Sequence, residues 1–272
     1  MTKVNVYRMD GLGNDFIIID RRKDQINLSK EKIIELGDRT NVGFDQIIFI
    51  EKKINNYFPI TIFNSDGGEI SACGNGSRCV AYLLSEKINS KLIKIKTNNR
   101  LLDAEVMSES SVKLNMGKPI FDIEKIPVSK EIKDNRVDLT IDGKSFKNGF
   151  CLNVGNPHII FFVKDCFAYD LKNIGPKIEN YSIFPQRTNV TFAEVENKRL
   201  IKVNVWERGA GLTKACGTAA CATAVAALKN KLTGNKVEIK FNEGVLDIEI
   251  DNSQNIFMTG PVSEVKTLQI DI

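Results

Sequence analysis

Cys73 and Cys216 stand in matching surroundings about half the chain apart. One lies in Asp66-Gly67-Gly68-Glu69-Ile70-Ser71-Ala72-Cys73-Gly74, the other in Gly209-Ala210-Gly211-Leu212-Thr213-Lys214-Ala215-Cys216-Gly217. In each, an extended run leads into a glycine-containing loop, then Ala-Cys-Gly, then a helical stretch of small and apolar residues. Inverting a carbon centre requires a base on one face of the carbon and an acid on the other, and a duplicated thiol can supply both. Each cysteine sits where a helix begins, among unpaired backbone N–H groups and the positive end of the helix dipole. There a thiol pKa, about 8.5 when unperturbed, can fall. The same N–H groups can hold a carboxylate. The sequence therefore predicts a substrate carboxylate held between two helix ends, with one sulfur on each face of its α-carbon. The competing reading is two buried core cysteines, a common residence for that residue. Two equivalent copies favour the chemical reading. Cys79, Cys151, Cys166 and Cys221 are read as structural.

The elements around the cysteines are duplicated too. A shift of 143 positions lays Gly68 on Gly211, Ala72 on Ala215, Cys73 on Cys216, Gly74 on Gly217 and Ala81 on Ala224. It also lays Gln46-Ile47-Ile48-Phe49 on Asn189-Val190-Thr191-Phe192 and Gly117 on Gly260. An ordered set of identities at one offset indicates two halves of one design. Short β-branched or aromatic runs predict strands at Phe16–Ile19, Gln46–Ile50, Ile60–Phe63, Leu92–Lys96, His158–Val163, Asn189–Ala193, Ile201–Trp206 and Val237–Phe241. Helices are predicted over Ser77–Glu86, Thr218–Lys229 and Lys30–Asp38, with a weaker one near Asp165–Asn180. Six alanines between 219 and 227 make the second of these apolar nearly all round, so it should be enclosed. The fold class is thus α+β: two pseudo-symmetric domains, each a mixed, mostly antiparallel β-sheet curled around a central α-helix. The first domain covers 1–117 with the tail 262–272 returning to it, and the second covers 118–261. Gly13, Gly67 and Gly211 mark close backbone approach or positive φ.

Composition narrows the function. The 272 residues are 42% hydrophobic and 26% charged, long enough for two cores. A net charge of +4, from 38 basic and 34 acidic residues, argues against a nucleic-acid binder. No segment approaches the roughly 20 apolar residues of a membrane span, and the start lacks the apolar stretch of a signal peptide. Six cysteines without a C-x-x-C pair, and a single histidine, His158, argue against zinc and against a disulfide framework. The expectation is a cytoplasmic protein with reduced thiols and no metal.

Asn64-Ser65-Asp66-Gly67-Gly68 followed by Cys73-Gly74-Asn75-Gly76-Ser77-Arg78 closely resembles the signature of the diaminopimelate epimerase family. So do Gly11-Leu12-Gly13-Asn14-Asp15-Phe16, Gly155-Asn156-Pro157-His158, Arg187-Thr188-Asn189-Val190 and Glu207-Arg208-Gly209-Ala210-Gly211. The chain departs from the family pattern at Asp10, where His is usual, and at Gly68, Leu212, Lys214 and Ala219; none of these is a proposed catalytic residue. The resemblance implies that family's two-domain fold and a two-cysteine epimerase working without pyridoxal phosphate or any other cofactor. It implies a homodimer interconverting LL- and meso-diaminopimelate for lysine and peptidoglycan synthesis. It further implies substrate binding by Asn14, Gln46, Asn64, Gly74, Asn75, Asn156, Asn189, Glu207, Arg208, Gly217 and Thr218, with His158 and Glu207 supporting the cysteines. Arg208 suits a distal carboxylate and Glu207 a distal ammonium. Each of these residues taken singly reads as a turn asparagine or a surface charge pair. A proline racemase-like isomerase shares the paired-cysteine logic, though Glu207, Arg208 and the asparagines suit a second amino-acid end better than a small ring. A thiol redox protein and a non-catalytic carboxylate-binding module are the alternatives from other classes.

The pairing has a geometric consequence. Two sulfurs each within about 3–3.5 Å of one carbon are roughly 6–7 Å apart with substrate bound, whereas a disulfide needs about 2.05 Å. Mild oxidant should therefore inactivate the substrate-free protein, reductant should restore it, and substrate should protect it. Activity that survives complete oxidation of both thiols excludes the pair.

Overall fold

The structure, a computed structural model, describes residues 3–71, 73–129 and 132–272; Ala72 of the first Ala-Cys-Gly lies outside them. The chain divides into two units, Met1–Asn115 with Thr259–Ile272, and Met116–Met258. In chain order, the first contains β1 (Lys3–Gly11), β2 (Asn14–Asp20), α1 (Lys30–Gly37), β3 (Gln46–Ile50), β4 (Phe58–Asn64) and β5 (Glu69–Ile70). It continues through α2 (Gly74–Ile88), β6 (Leu92–Lys96), β7 (Leu101–Ser108) and β8 (Ser111–Asn115). The second runs through β9 (Arg136–Ile141), β10 (Lys144–Asn153), β11 (Pro157–Val163), α3 (Leu171–Glu179), β12 (Asn189–Asn197) and β13 (Leu200–Glu207). Then come β14 (Gly211–Leu212), α4 (Gly217–Lys229), β15 (Lys236–Phe241), β16 (Gly244–Ile250) and β17 (Ile256–Pro261), before β18 (Lys266–Asp271) ends the chain.

The pairing scheme repeats. In the first unit β18, β1 and β2 are antiparallel neighbours, β2 and β3 are parallel, β3 and β4 antiparallel, β4 and β6 parallel, and β6, β7 and β8 antiparallel. In the second, β9, β10 and β11 are antiparallel, β11 and β12 parallel, β12 and β13 antiparallel, β13 and β15 parallel, and β15 and β16 antiparallel. The short β5 and β14 fold back on β4 and β13. Each unit is thus a mixed, mostly antiparallel sheet with one enclosed helix, the α+β class read from the sequence.

Burial explains which strands take which place. Phe16–Ile19 and Ile47–Ile50 are buried residue after residue, as strands covered on both faces must be. One face packs Ile17, Ile19, Ile47 and Phe49 against Ile33 and Leu36 of α1. The other turns Phe16 and Ile48 toward α2, close enough that a β-carbon at Gly76 would lie 2.6 Å from Ile48 Cδ1. That contact explains why α2 begins at Gly74 rather than near Ser77: two glycines at its start are poor helix formers but let the first turn lie against the sheet. The outer strands β6 and β7 alternate exposed and buried residues, with Ile93, Ile95, Leu102, Ala104 and Val106 inward. In α4, residues 219–227 are all buried, and the helix packs against β10, β11, β12, β15 and β16. Alanine suits this position because it loses no side-chain entropy and lets backbones approach from several sides.

An ion-pair network fastens the start of the first sheet. Arg39 donates to both Asp15 oxygens at 2.7 and 2.9 Å, and Arg8 donates at 2.8 Å. Burial alone would raise the Asp15 pKa; the hydrogen bonds from Arg39 and Arg8 outweigh it and hold the carboxyl at about 2, below its ordinary 3.8. A depressed folded-state pKa gives stability that is present above pH 3.8 and lost as pH falls through about 2. Asp15→Asn should therefore flatten the pH dependence of unfolding free energy in that window. The difference is about 1–2 kcal/mol after allowance for the exposure of Arg39, and urea unfolding at stepped pH measures it.

Candidate active site

In each unit the proposed site residues cluster at one end of the sheet because of strand direction. Asn14 and Gln46 open the parallel strands β2 and β3, while Asn64 closes the antiparallel β4 directly opposite Gln46. In the second unit Asn156 immediately precedes β11, Asn189 opens β12 opposite His158, and Glu207 closes β13, with Arg208 next.

Both cysteines are helix N-caps, and their backbones nearly coincide. Cys73 has φ −143° and ψ 115°, and Cys216 has φ −138° and ψ 113°. Their side-chain surroundings differ. The Gly76 N–H donates to Cys73 Sγ at 3.4 Å, so this thiol caps its own helix, and its residue is half-buried. Cys216 makes no such cap bond. Its sulfur lies 3.4 Å from the Thr218 hydroxyl, and the residue is buried. Burial pushes the Cys216 thiol well above its ordinary pKa, and the neighbouring Glu207 charge adds to the rise; Thr218 opposes it. The helix start was expected to lower the pKa of this cysteine. Burial beside a carboxylate overrides the dipole, and Cys216 stands as a thiol at neutral pH. Glu207 is raised in turn, first by burial, with the Thr213 hydroxyl and the Cys216 thiol pulling it back.

The other residues implied by the resemblance are placed as follows. Asn14 Oδ1 accepts from Asn75 Nδ2 at 2.9 Å. Gln46 Nε2 donates to Asn64 Oδ1 at 3.2 Å, while Gln46 Oε1 is buried without a hydrogen-bond partner among the described residues. Asn156 Oδ1 lies 2.9 Å from His158 Nε2, and His158 is wholly buried. Asn189 joins two site segments: its Nδ2 donates to the Pro157 carbonyl at 2.7 Å, and its Oδ1 accepts from the Arg208 N–H at 2.9 Å. Arg208 Nη1 donates to the Gln186 carbonyl at 3.0 Å. Burial, followed by the Arg187 charge, lowers the Arg208 pKa. The Glu179 carboxylate, which accepts from Arg187 at 3.2 Å, opposes that shift. Gly74 and Gly217 open their helices, and Thr218 follows. Gly13, Gly67 and Gly211 all have positive φ, at 80°, 75° and 87°.

Cys79, Cys151, Cys166 and Cys221 are buried. Burial pushes the thiols of Cys79 and Cys151 up, and that of Cys166 to about 12. Among the described residues no group of three or more His, Cys, Asp or Glu side chains could hold a metal ion, and no helix is long and apolar enough to cross a membrane.

Glu179, in α3, escaped the sequence reading. It is 4% exposed and accepts from Trp206 Nε1 at 2.6 Å, the Gly209 N–H at 2.9 Å and Arg187 Nη1 at 3.2 Å. Four residues earlier on the same helix face, Gly175 leaves room for the Trp206 ring; a β-carbon there would lie 2.6 Å from Trp206 Cδ2. Glu179 and Gly175 together hold the indole, and with it the segment that carries Glu207 and Arg208.

Solved structures with this architecture span nearly the whole chain. A structure described as a probable proline racemase, from Agrobacterium radiobacter, aligns with a TM-score of 0.69 at 12% identity, over 98% of this chain and 93% of that one. A PhzF-family phenazine biosynthesis protein from Bacillus anthracis aligns with a TM-score of 0.68 at 17% identity, over 100% of both chains. At these identities the likeness shows the fold alone. The class is therefore the duplicated α+β fold of which those structures are also built. Sequence makes the assignment finer. The profile of the family described as diaminopimelate epimerase matches residues 6–121 and again 150–265. A diaminopimelate epimerase of Pelagibacter ubique is 49% identical over 99% of both chains, and one of Erythrobacter litoralis is 41% identical over 96% of this chain and 95% of its own. The chain belongs to the diaminopimelate epimerase family.

Glu179→Gln would turn an amide donor toward one of three donors that now meet a carboxylate. It should destabilise the fold by about 1–3 kcal/mol in urea unfolding. It should also shift the emission of Trp206, the only tryptophan in the chain, before global unfolding. An unaltered native emission spectrum excludes the proposed hold on the indole.

Proposed function

We propose that the protein is a cofactor-independent diaminopimelate epimerase interconverting the LL and meso isomers. The observation that carries this reading is the pair of N-cap cysteines in nearly identical backbone geometry, each opening the enclosed helix of its unit. In the proposed cycle Cys73, as thiolate, removes the α-proton and becomes a thiol. Cys216, a thiol through burial and its Glu207 neighbour, delivers its own proton to the opposite face and becomes the thiolate. The reverse reaction exchanges the roles, so no net proton or electron is consumed. Helix N-termini and the N–H groups of Gly74, Asn75, Gly217 and Thr218 stabilise the carboxylate and the charge developing on it. Glu207, already beside Cys216, is placed to share its proton during the exchange of roles. His158, held by Asn156, is assigned the supporting place.

Substrate selection follows from the polar residues around the cysteines. Arg208, whose guanidinium can meet a carboxylate in a bidentate way, takes the distal carboxylate, and Glu207 the distal ammonium. Asn14, Gln46, Asn64, Asn156 and Asn189 check the remaining donors and acceptors, rejecting analogues that leave them unpaired. With the family assignment, the reading places the reaction in lysine and peptidoglycan precursor synthesis, in the cytoplasm, with a homodimer as the working form and the two units as its catalytic halves.

Deuterium wash-in tests the reading. In D₂O the wild type should incorporate deuterium at one α-carbon of LL-diaminopimelate while inverting it, and should leave proline untouched. Cys73→Ala and Cys216→Ala should each lower epimerisation by about 10²–10⁴-fold, the usual worth of a positioned acid or base. Each variant should keep exchange without inversion on the isomer whose α-proton faces its remaining cysteine. Binding without any exchange in the wild type would identify a carboxylate-binding module instead, and exchange on proline a proline racemase.

A further inference from the structure

Four side chains of the first unit form a hydrogen-bonded chain with a cation at one end and an anion at the other. Arg78 Nη2 donates to Asn75 Oδ1 at 3.1 Å, Asn75 Nδ2 donates to Asn14 Oδ1 at 2.9 Å, and Asn14 Nδ2 donates to Asp45 Oδ2 at 3.2 Å. Arg78 is wholly buried and Asn75 is 3% exposed. At the other end Asp45 also accepts from the Asp15 N–H at 3.2 Å and is ion-paired with Arg39.

A carboxamide can usually be turned over at little cost, because its oxygen and nitrogen ends have almost the same shape. Here that freedom is removed. A guanidinium has no acceptor, so Asn75 must present its oxygen to Arg78, which leaves its nitrogen facing Asn14. Asn14 must then present its oxygen to Asn75 and its nitrogen to Asp45, whose carboxylate has no donor. Reversing either amide would set donor against donor and acceptor against acceptor within the chain. We propose that Arg78 and Asp45 are positioning residues that fix, from opposite ends, the amide orientation of Asn75 and Asn14, and so determine which directions carry the remaining N–H and lone pair of Asn14 toward the substrate. This rests on the epimerase reading for the substrate, but the chain itself does not.

Two comparisons inside the molecule support the assignment. Gln46 and Asn64 form a neighbouring amide pair, hydrogen-bonded at 3.2 Å, yet among the described residues Gln46 Oε1 is buried with no partner to hold the amide one way round. In the second unit the 143-residue shift replaces Arg78 by Cys221, Asn75 by Thr218 and Asp45 by Thr188. Three of the four positions of the chain change, while Asn14 keeps an asparagine, Asn156, as its counterpart with one residue of slack. The two ends are therefore a property of the first half alone, added to or retained on a framework both halves share. The Arg78 charge also lies one helical turn beyond Asn75, which explains why an arginine is enclosed in a helix whose other buried residues include Cys79, Val80, Leu83 and Leu84.

The test uses the full-length protein with LL-diaminopimelate, and Asp45→Asn and Arg78→Gln as isosteric or neutral replacements that can donate as well as accept. Each should raise KM about tenfold, the scale of one charge-assisted hydrogen bond, and change kcat less than about threefold, because a group that binds the non-reacting part of the substrate acts on KM. The double variant should be little worse than either single one, since both break the same chain. Arg39→Gln, which removes the ion pair but leaves the chain, should keep KM within about twofold of wild type. Multiplicative losses in the double variant, or a KM unchanged in Asp45→Asn, overturn the proposal. Should Arg78→Gln fail to fold, ¹⁵N side-chain amide spectra of substrate-free Asp45→Asn decide alone. The wild type should show one set of Asn14 and Asn75 NH₂ signals, and the variant a second set or exchange broadening. A single unbroadened set in the variant overturns the proposal. Absence of α-proton exchange in the wild type would count against the epimerase reading, and the amide spectra would then test the hydrogen-bonded chain independently of it.

Discussion

A helix that starts inside a protein has to satisfy its first backbone N–H groups without water. Four donors are left over at every α-helix N-terminus, and α2 and α4 are packed by strands of their own units along most of their length. Serine, threonine or aspartate would ordinarily cap such a start. Cysteine is a weak acceptor and a weak donor, so the caps of α2 and α4 leave those N–H groups under-used. The glycines that follow remove the side chains that would otherwise cover them. The result is a concentration of unspent donors beside a polarizable, titratable sulfur, and the same constraint accounts for the small residues of the first turns and for the carboxylate chemistry proposed at them.

That constraint is met twice, but the two solutions are not equivalent. At Cys73 the sulfur takes the Gly76 N–H. At Cys216 the sulfur makes no cap bond and instead meets Thr218 and a buried carboxylate. Anion beside thiol favours retention of the proton, and N–H donation to sulfur favours its loss. In the proposed cycle, nearly identical backbones thus offer Cys216 the role of acid and Cys73 the role of base. A two-base reaction needs that asymmetry, because two thiols cannot abstract and two thiolates cannot deliver.

The sequence made the inner strands and the paired helices legible because their signal is compositional. Gln46–Ile50 and Leu92–Lys96 coincide with β3 and β6, and the alanine-rich run fell on α4 within one residue. Strands such as β9, with Val137, Leu139 and Ile141 inward and Arg136, Asp138 and Thr140 outward, were passed over. Charges on the solvent face dilute their apolar content, and only the alternation remains to be read. α3 was visible only loosely: Gly175 and Pro176 within it are poor helix formers, and its place is decided by the Trp206 ring and by Ile178, which joins the core beneath it.

The site was legible at the residues that make local patterns and opaque at those that act through distance. Both cysteines, Asn75, Glu207 and Arg208 lie in short motifs whose order along the chain carries meaning. Glu179 does not: it is the last residue of its helix, 27 and 30 positions from Trp206 and Gly209, through which it stabilises the arginine-bearing segment. Asp45 precedes β3 and reaches Asn14 only because β2 and β3 run parallel, with Phe16 opposite Gln46. Parallel pairing requires an intervening crossover, here the α1 segment, so residues at the two strand starts are brought together by a connection of some thirty positions rather than by a turn. A carboxylate placed that way has no sequence neighbour to betray its partner. The polarity it imposes on Asn14 can be read only once the sheet order is known, and for the same reason a change at Asp45 is felt at a residue with which it shares no local motif.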